Sequence, residues 1–160
     1  MYNHAPENYT CPICLGINKT ESSDTLIVPG DIIFQNDIVT ILVGSFGMGN
    51  NPGHALIVPN EHFENIFDIP EDILNAITSA TKQIATALKQ VRNAEGITVL
   101  QNNEPAGGQH AFHYHQHVFP RFENDQLHEQ MSAKKLIGPE IRKQLADDLI
   151  TYFSNSPIQL

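Results

Sequence analysis

The sequence predicts an α+β fold: an antiparallel β-sheet of about five strands with one long helix and a C-terminal helix packed on one face. Three observations predict it. Short runs of β-branched residues fill the chain before residue 60, one long stretch then repeats its apolar residues at helical spacing, and two more strand-like runs and a second helical stretch follow. Each element has its own signals. After the turn Cys11-Pro12-Ile13-Cys14, residues 25–28 and 32–34 carry strand residues, Asn36-Asp37 breaks the run, and 38–43 resumes it, so this part reads as a hairpin. Residues 44–53 hold four glycines and read as a flexible loop. A third strand at 54–59 ends on Pro59. Pro70 with Glu71 and Asp72 makes a favourable first helical turn, and Ile73, Ile77, Ala80, Ile84, Leu88 and Val91 follow on one stripe until Gly96 stops the helix. A fourth strand at 97–100, a polar loop at 102–109 and a fifth strand at 111–119 come next. Pro139 and Glu140 open the second helix, whose apolar side is Ile141, Leu145, Leu149 and Phe153.

A chain of 160 residues, 41% hydrophobic, is long enough for one packed core and predicts a single domain over 1–160. Nine basic residues against 18 acidic ones give a net charge of -9, which repels a nucleic-acid backbone or an anionic membrane, so any phosphate site must be local. No stretch approaches the ~20 apolar residues of a membrane span. Met1-Tyr2-Asn3-His4 carries neither the charge nor the apolar core of a signal peptide, and the expectation is a soluble, cytoplasmic protein. Cys11 and Cys14 are too few and too close for a secreted disulfide framework. Two thiolates at this spacing suit a metal knuckle; a redox pair and two inert buried cysteines are the alternatives. Eight histidines are available as further ligands, and spacing does not choose among them.

The run His113-Tyr114-His115-Gln116-His117 is the most telling feature. Strand alternation sends its three histidines to one face and Tyr114, Gln116 and Val118 to the other. Side chains two apart on a strand are separated by roughly 6.6 Å, so two imidazoles can converge on a metal while three from a straight strand are awkward. Phosphorus chemistry gives them separate work. Neutral imidazole is a nucleophile near pH 7, and a neighbouring imidazole can stabilise phosphate oxygens or protonate a leaving group. Gly107-Gly108-Gln109 supplies backbone able to approach a phosphate, with amide donors on Gln109 and Asn102.

The stretch from Gln101 to Arg121, QNNEPAGGQHAFHYHQHVFPR, resembles the signature region of the histidine triad (HIT) family of nucleotide hydrolases and transferases. Residues 52–62, PGHALIVPNEH, resemble the family's second recurring segment, a strand ending in proline with a histidine three residues on. With the cysteine turn the resemblance spans about 9–121, leaving 122–160 as tail and C-terminal helix. It implies that His115 attacks the α-phosphorus and carries the nucleotidyl group, that His117 contacts the phosphate, and that Asn102 and Gln109 lie near the substrate phosphates. It also implies a homodimer, a nucleotide or nucleotide-conjugate substrate, and a structural zinc on Cys11, Cys14, His62 and His113.

The sequence departs from that family pattern in places. Where many relatives hold the ribose with an aspartate, residues 42–47 contain no carboxylate, and Ser45 is the polar side chain available. His110 replaces a frequent serine or threonine and adds an imidazole beside the phosphate site; Glu104 replaces a frequent glycine, and Gln116 an apolar residue. The expected activity is hydrolysis or nucleotidyl transfer on a nucleoside phosphoramidate, dinucleoside polyphosphate or similar substrate. Its rivals are a nucleotide-binding module with weak catalysis and a hydrolase in which His113 and His115 hold a catalytic metal.

Overall fold

The computed structural model describes residues 2–51, 53–130 and 133–160; Pro52, which opens the second family-like segment, lies outside them. Its elements are α1 (Pro12–Ile17), β1 (Ile32–Gln35), β2 (Val39–Val43), β3 (Phe46–Met48), β4 (Ala55–Pro59), α2 (Glu71–Val91), β5 (Gly96–Gln101), β6 (Gln116–Arg121), β7 (Lys134–Leu136) and α3 (Pro139–Asn155). Five strands form an antiparallel sheet in the order β1-β2-β4-β6-β5, and β3 pairs with β7 in a separate ribbon. The predicted α+β architecture is the observed one.

Alternation sorts the sheet into two faces. Val39, Ile41 and Val43 of β2, Ala55 and Ile57 of β4, and Tyr114 and Val118 pack against Ile77, Ala80, Ile84 and Leu88 of α2 and against Ala146 and Leu149 of α3. Leu42 and Val58 point the other way, onto Cys11, Ile13 and Ile17 around α1. Each buried aliphatic side chain contributes about 1.5–3 kcal/mol, so these residues fix the register: a one-residue slip would exchange the faces. His117 lies across from Leu56 on β4 and Leu100 on β5, on the face away from α2.

Several expectations change. Residues 25–28 are not a strand, because side chains take their backbone groups: Thr25 Oγ1 accepts the Ile27 amide, Asp31 accepts the Val28 amide at 2.9 Å, and Arg142 donates to the Leu26 carbonyl at 2.8 Å. The fifth strand begins at Gln116, since the preceding residues bond elsewhere; the Phe112 amide donates to the Tyr9 hydroxyl and the Tyr114 amide to the Phe63 carbonyl. Helix α2 ends at Val91, ahead of Gly96, with Asn93 in the left-handed region at φ 50°. In α3, Ile141 is 58% exposed, whereas Arg142 is 2% exposed and salt-bridged to Asp31. The glycine-containing stretch 44–53 includes β3, and Asn50 donates to the Asp125 carbonyl at 2.9 Å, so the tail braces it. A short helix, α1, begins inside the cysteine turn and carries Cys14. Among the described residues no helix is long and apolar enough to cross a membrane.

Candidate functional site

Two groups of side chains share the sheet face away from α2 and α3. The first is built by the start of α1. Cys11 is its N-cap, and its thiol accepts the Cys14 amide at 3.4 Å, turning both sulfurs inward. Cys11 Sγ and Cys14 Sγ each lie 3.4 Å from His113 Nδ1, and Cys14 Sγ lies 3.4 Å from His62 Nδ1. The four ligand atoms all fall within 4.8 Å of one another. Around a tetrahedral zinc, sulfur and nitrogen ligands stand about 3.6 Å apart, so the donor set fits that ion in chemistry and in spacing. His113 is fully buried, and its Nε2 lies 3.0 Å from the Pro59 carbonyl. A carbonyl only accepts, so Nε2 carries the proton and the Nδ1 lone pair faces the sulfurs. The contact with Cys14 holds the Cys11 thiol below its ordinary value, the direction that favours a metal-binding thiolate.

The second group lines a cavity of about 630 Å³ between the sheet, the start of α1, residues 24–27 and the β3–β7 ribbon. His115 Nδ1 lies 2.7 Å from the His113 carbonyl. By the same argument the proton is on Nδ1 and the Nε2 lone pair is free. The His117 ring stands 4.9 Å from that of His115, and its Nδ1 lies 2.9 Å from His54 Nε2. His54 is stacked on Phe119 at 4.1 Å, and its Nδ1 has no hydrogen-bond partner among the described residues. Burial pushes all three histidines below their ordinary values, His54 to about 3. The cavity therefore presents neutral imidazoles. Gly44 makes room for this arrangement: a Cβ there would lie 2.6 Å from His54 Nε2.

The structure brings Ser45, Asn102 and His110 to the cavity wall together with His115 and His117. Gln109 is placed otherwise. It is 4% exposed, its Oε1 accepts the Glu104 amide at 2.7 Å, and its Nε2 donates to the carbonyls of Glu64 and Ala111, so its amide braces the loop and does not line the cavity. Glu104 holds a backbone conformation (φ 62°, ψ 157°) that glycine adopts more readily, in keeping with the residue it replaces. Sequence reasoning missed His54 and Lys134, both of which line the cavity. His54 was findable: the register Ala55↔Val118 sets the residue before Ala55 beside His117 and Phe119. Lys134 gave no such signal, since its strand has only three residues, all exposed.

Comparison with known proteins agrees with this geometry. The HIT domain family model matches residues 26–124. An uncharacterised HIT-like protein of Saccharolobus solfataricus is 34% identical over 113 residues, 71% of this chain and 77% of that one. The adenylylsulfatase HINT3 of Arabidopsis thaliana is 32% identical over 103 residues, 64% of this chain and 51% of that one. A zinc-bound histidine triad family protein from Mycobacterium smegmatis has the same fold, with a TM-score of 0.72 at 20% identity over 92% of this chain and 97% of that one.

Proposed function

The chain belongs to the HIT domain family, and from that premise we propose that it is a nucleotide hydrolase or nucleotidyl transferase that works through a covalent nucleotidyl-His115 intermediate. The observation that carries this reading is the bond from His115 Nδ1 to the His113 carbonyl, which leaves Nε2 as an unprotonated nucleophile facing the cavity. In the first step Nε2 forms a bond to the α-phosphorus and the bond from phosphorus to the leaving group breaks. In the second, water or another acceptor forms a bond to the same phosphorus, the P–N bond breaks with its electron pair returning to His115 Nε2, and the proton of the attacking group passes to solvent. His117 serves the phosphate oxygens: the contact between its Nδ1 and His54 Nε2 fixes the ring and leaves Nε2 for the substrate. Asn102, His110 and Ser45 stand as further substrate contacts, and Gln109 as the residue that holds their loop.

Zinc on Cys11, Cys14, His62 and His113 belongs to the same reading. When bound, the ion acts as a structural cross-link between α1, the segment after β4 and the segment before β6. It stays out of the chemistry, because His113 spends its side chain there while its carbonyl orients His115. A reducing compartment such as the cytoplasm suits two cysteines kept as thiolates. A homodimer also belongs here. Strand β5 is an edge of the main sheet, with Val99 48% exposed on the side that carries α2, and a second copy pairing along it would cover both. Size-exclusion chromatography with light scattering is expected to give twice the chain mass; a monomer at tens of micromolar overturns that part.

The test of the activity is turnover on a panel of adenine nucleotides with anhydride, sulfate or amide leaving groups. His115→Ala is expected to lower kcat by at least about 10³-fold while leaving the circular dichroism spectrum and Tm unchanged. An unaffected rate overturns the assignment.

A further inference from the structure

The family model stops at residue 124, but the cavity continues into the tail through Lys134 on β7. Lys134 sits across from Met48 on β3, and its ammonium group lies 5.7 Å from the centre of the Phe46 ring. Its place is fixed by the fold. The Ile137 amide just beyond β7 donates to the Ser45 carbonyl at 2.9 Å, and Arg142 Nη1 donates to the Ile137 carbonyl at 2.6 Å. The other arms of the same guanidinium hold Asp31 and the carbonyl of Leu26, itself a residue of the cavity wall.

The charge inventory of the cavity is short. Lys134 is its one lysine or arginine and Asp24 its one carboxylate among the described residues, beside the imidazoles of His54, His110, His115 and His117. No carboxylate lies within salt-bridge distance of Lys134 among those residues. In a chain of net charge -9, the arrival of a second anionic group next to the attacked phosphate needs a local cation.

We infer that Lys134 is the specificity-determining cation of this site: it meets the oxyanion attached to the α-phosphate, and so favours nucleotides whose leaving group is itself a phosphate or sulfate. The inference rests on the function proposed above and narrows its substrate class. When His115 Nε2 bonds to phosphorus and the bridging P–O bond breaks, the electron pair stays on the bridging oxygen and the leaving group gains one negative charge. An ammonium at this place stabilises that charge without any proton transfer. A phosphoramidate differs, since its amine must leave protonated and develops no negative charge for Lys134 to meet.

The test compares the full-length protein with Lys134→Met and Lys134→Arg on adenosine 5′-phosphosulfate, diadenosine triphosphate and adenosine 5′-phosphoramidate. For Lys134→Met, kcat/KM on at least one of the first two is expected to fall about tenfold or more beyond its fall on the phosphoramidate, with Lys134→Arg within about threefold of wild type. Loss on the sulfate alone or on the triphosphate alone identifies which oxyanion the site takes. An equal fall on all three substrates, or no fall on either anionic one, overturns the inference. Should wild type turn over none of them, the proposed activity fails separately, and calorimetric titration with AMP and ADP still decides about Lys134. Wild type is then expected to bind ADP more tightly than AMP, and Lys134→Met to lose that difference; an unchanged difference, or none in wild type, overturns the inference.

Discussion

Two backbone carbonyls assign different work to neighbouring histidines. Pro59 takes the Nε2 proton of His113 and leaves its Nδ1 for the sulfurs, whereas His113 takes the Nδ1 proton of His115 and leaves its Nε2 for the cavity. The third histidine is set by a side chain, His54, which stays neutral because burial holds its pKa near 3. That shift has a consequence for stability with a definite sign. Below an ordinary histidine pKa of about 6.5 the unfolded chain takes up a proton that buried His54 refuses, so its contribution is intact above pH 6.5 and is lost as pH falls. Between pH 7.5 and 5.5 the loss from His54 alone is about 1.4 kcal/mol. Urea unfolding at the two pH values is expected to show a larger acid loss for wild type than for His54→Gln, by about 1 kcal/mol. An equal loss in both proteins would contradict the buried neutral state.

At the scale of elements, the long helix, the hairpin and the proline-ended strand were legible because each carries a strong periodicity or a stop signal: Ile77, Ala80, Ile84 and Leu88 are buried in the stripe that their spacing predicts. The Cys/His cluster was also legible, but only through family resemblance, since it joins residues 48 to 102 positions apart. What escaped the sequence is what long-range polar contacts decide. Residues 25–28 look like a strand until Asp31 and Arg142 claim their amide and carbonyl groups, and β3 looks like a glycine-rich loop until β7 pairs with it. Arg142 sits at the centre of these contacts and is 2% exposed in a position that helical periodicity gives no reason to bury. Its replacement by alanine leaves the Asp31 carboxylate buried without its partner, with an expected destabilisation of about 3–5 kcal/mol in urea unfolding. A loss below about 1 kcal/mol would show that the C-terminal helix is fastened by its apolar contacts alone.

On the scale of the whole molecule, the sheet separates a packed side from a chemical side, and the tail that lies beyond the family-like region closes part of the chemical side. If the metal is a cross-link, removing it costs stability: protein as purified is expected to carry one zinc per chain, and Cys11→Ser or prolonged chelation to lower Tm by more than about 10 °C, with activity falling in parallel. Activity lost at unchanged Tm would instead place the metal in the reaction. The central claim is that His115 carries the nucleotidyl group, and the measurement that tests it most directly is mass spectrometry of protein quenched in acid-free denaturant during turnover of an adenylylated substrate. A mass increase of one adenylyl group on the peptide containing His115, absent from His115→Ala, is the predicted result. Turnover with no such adduct, or an adduct that persists in His115→Ala, would contradict it.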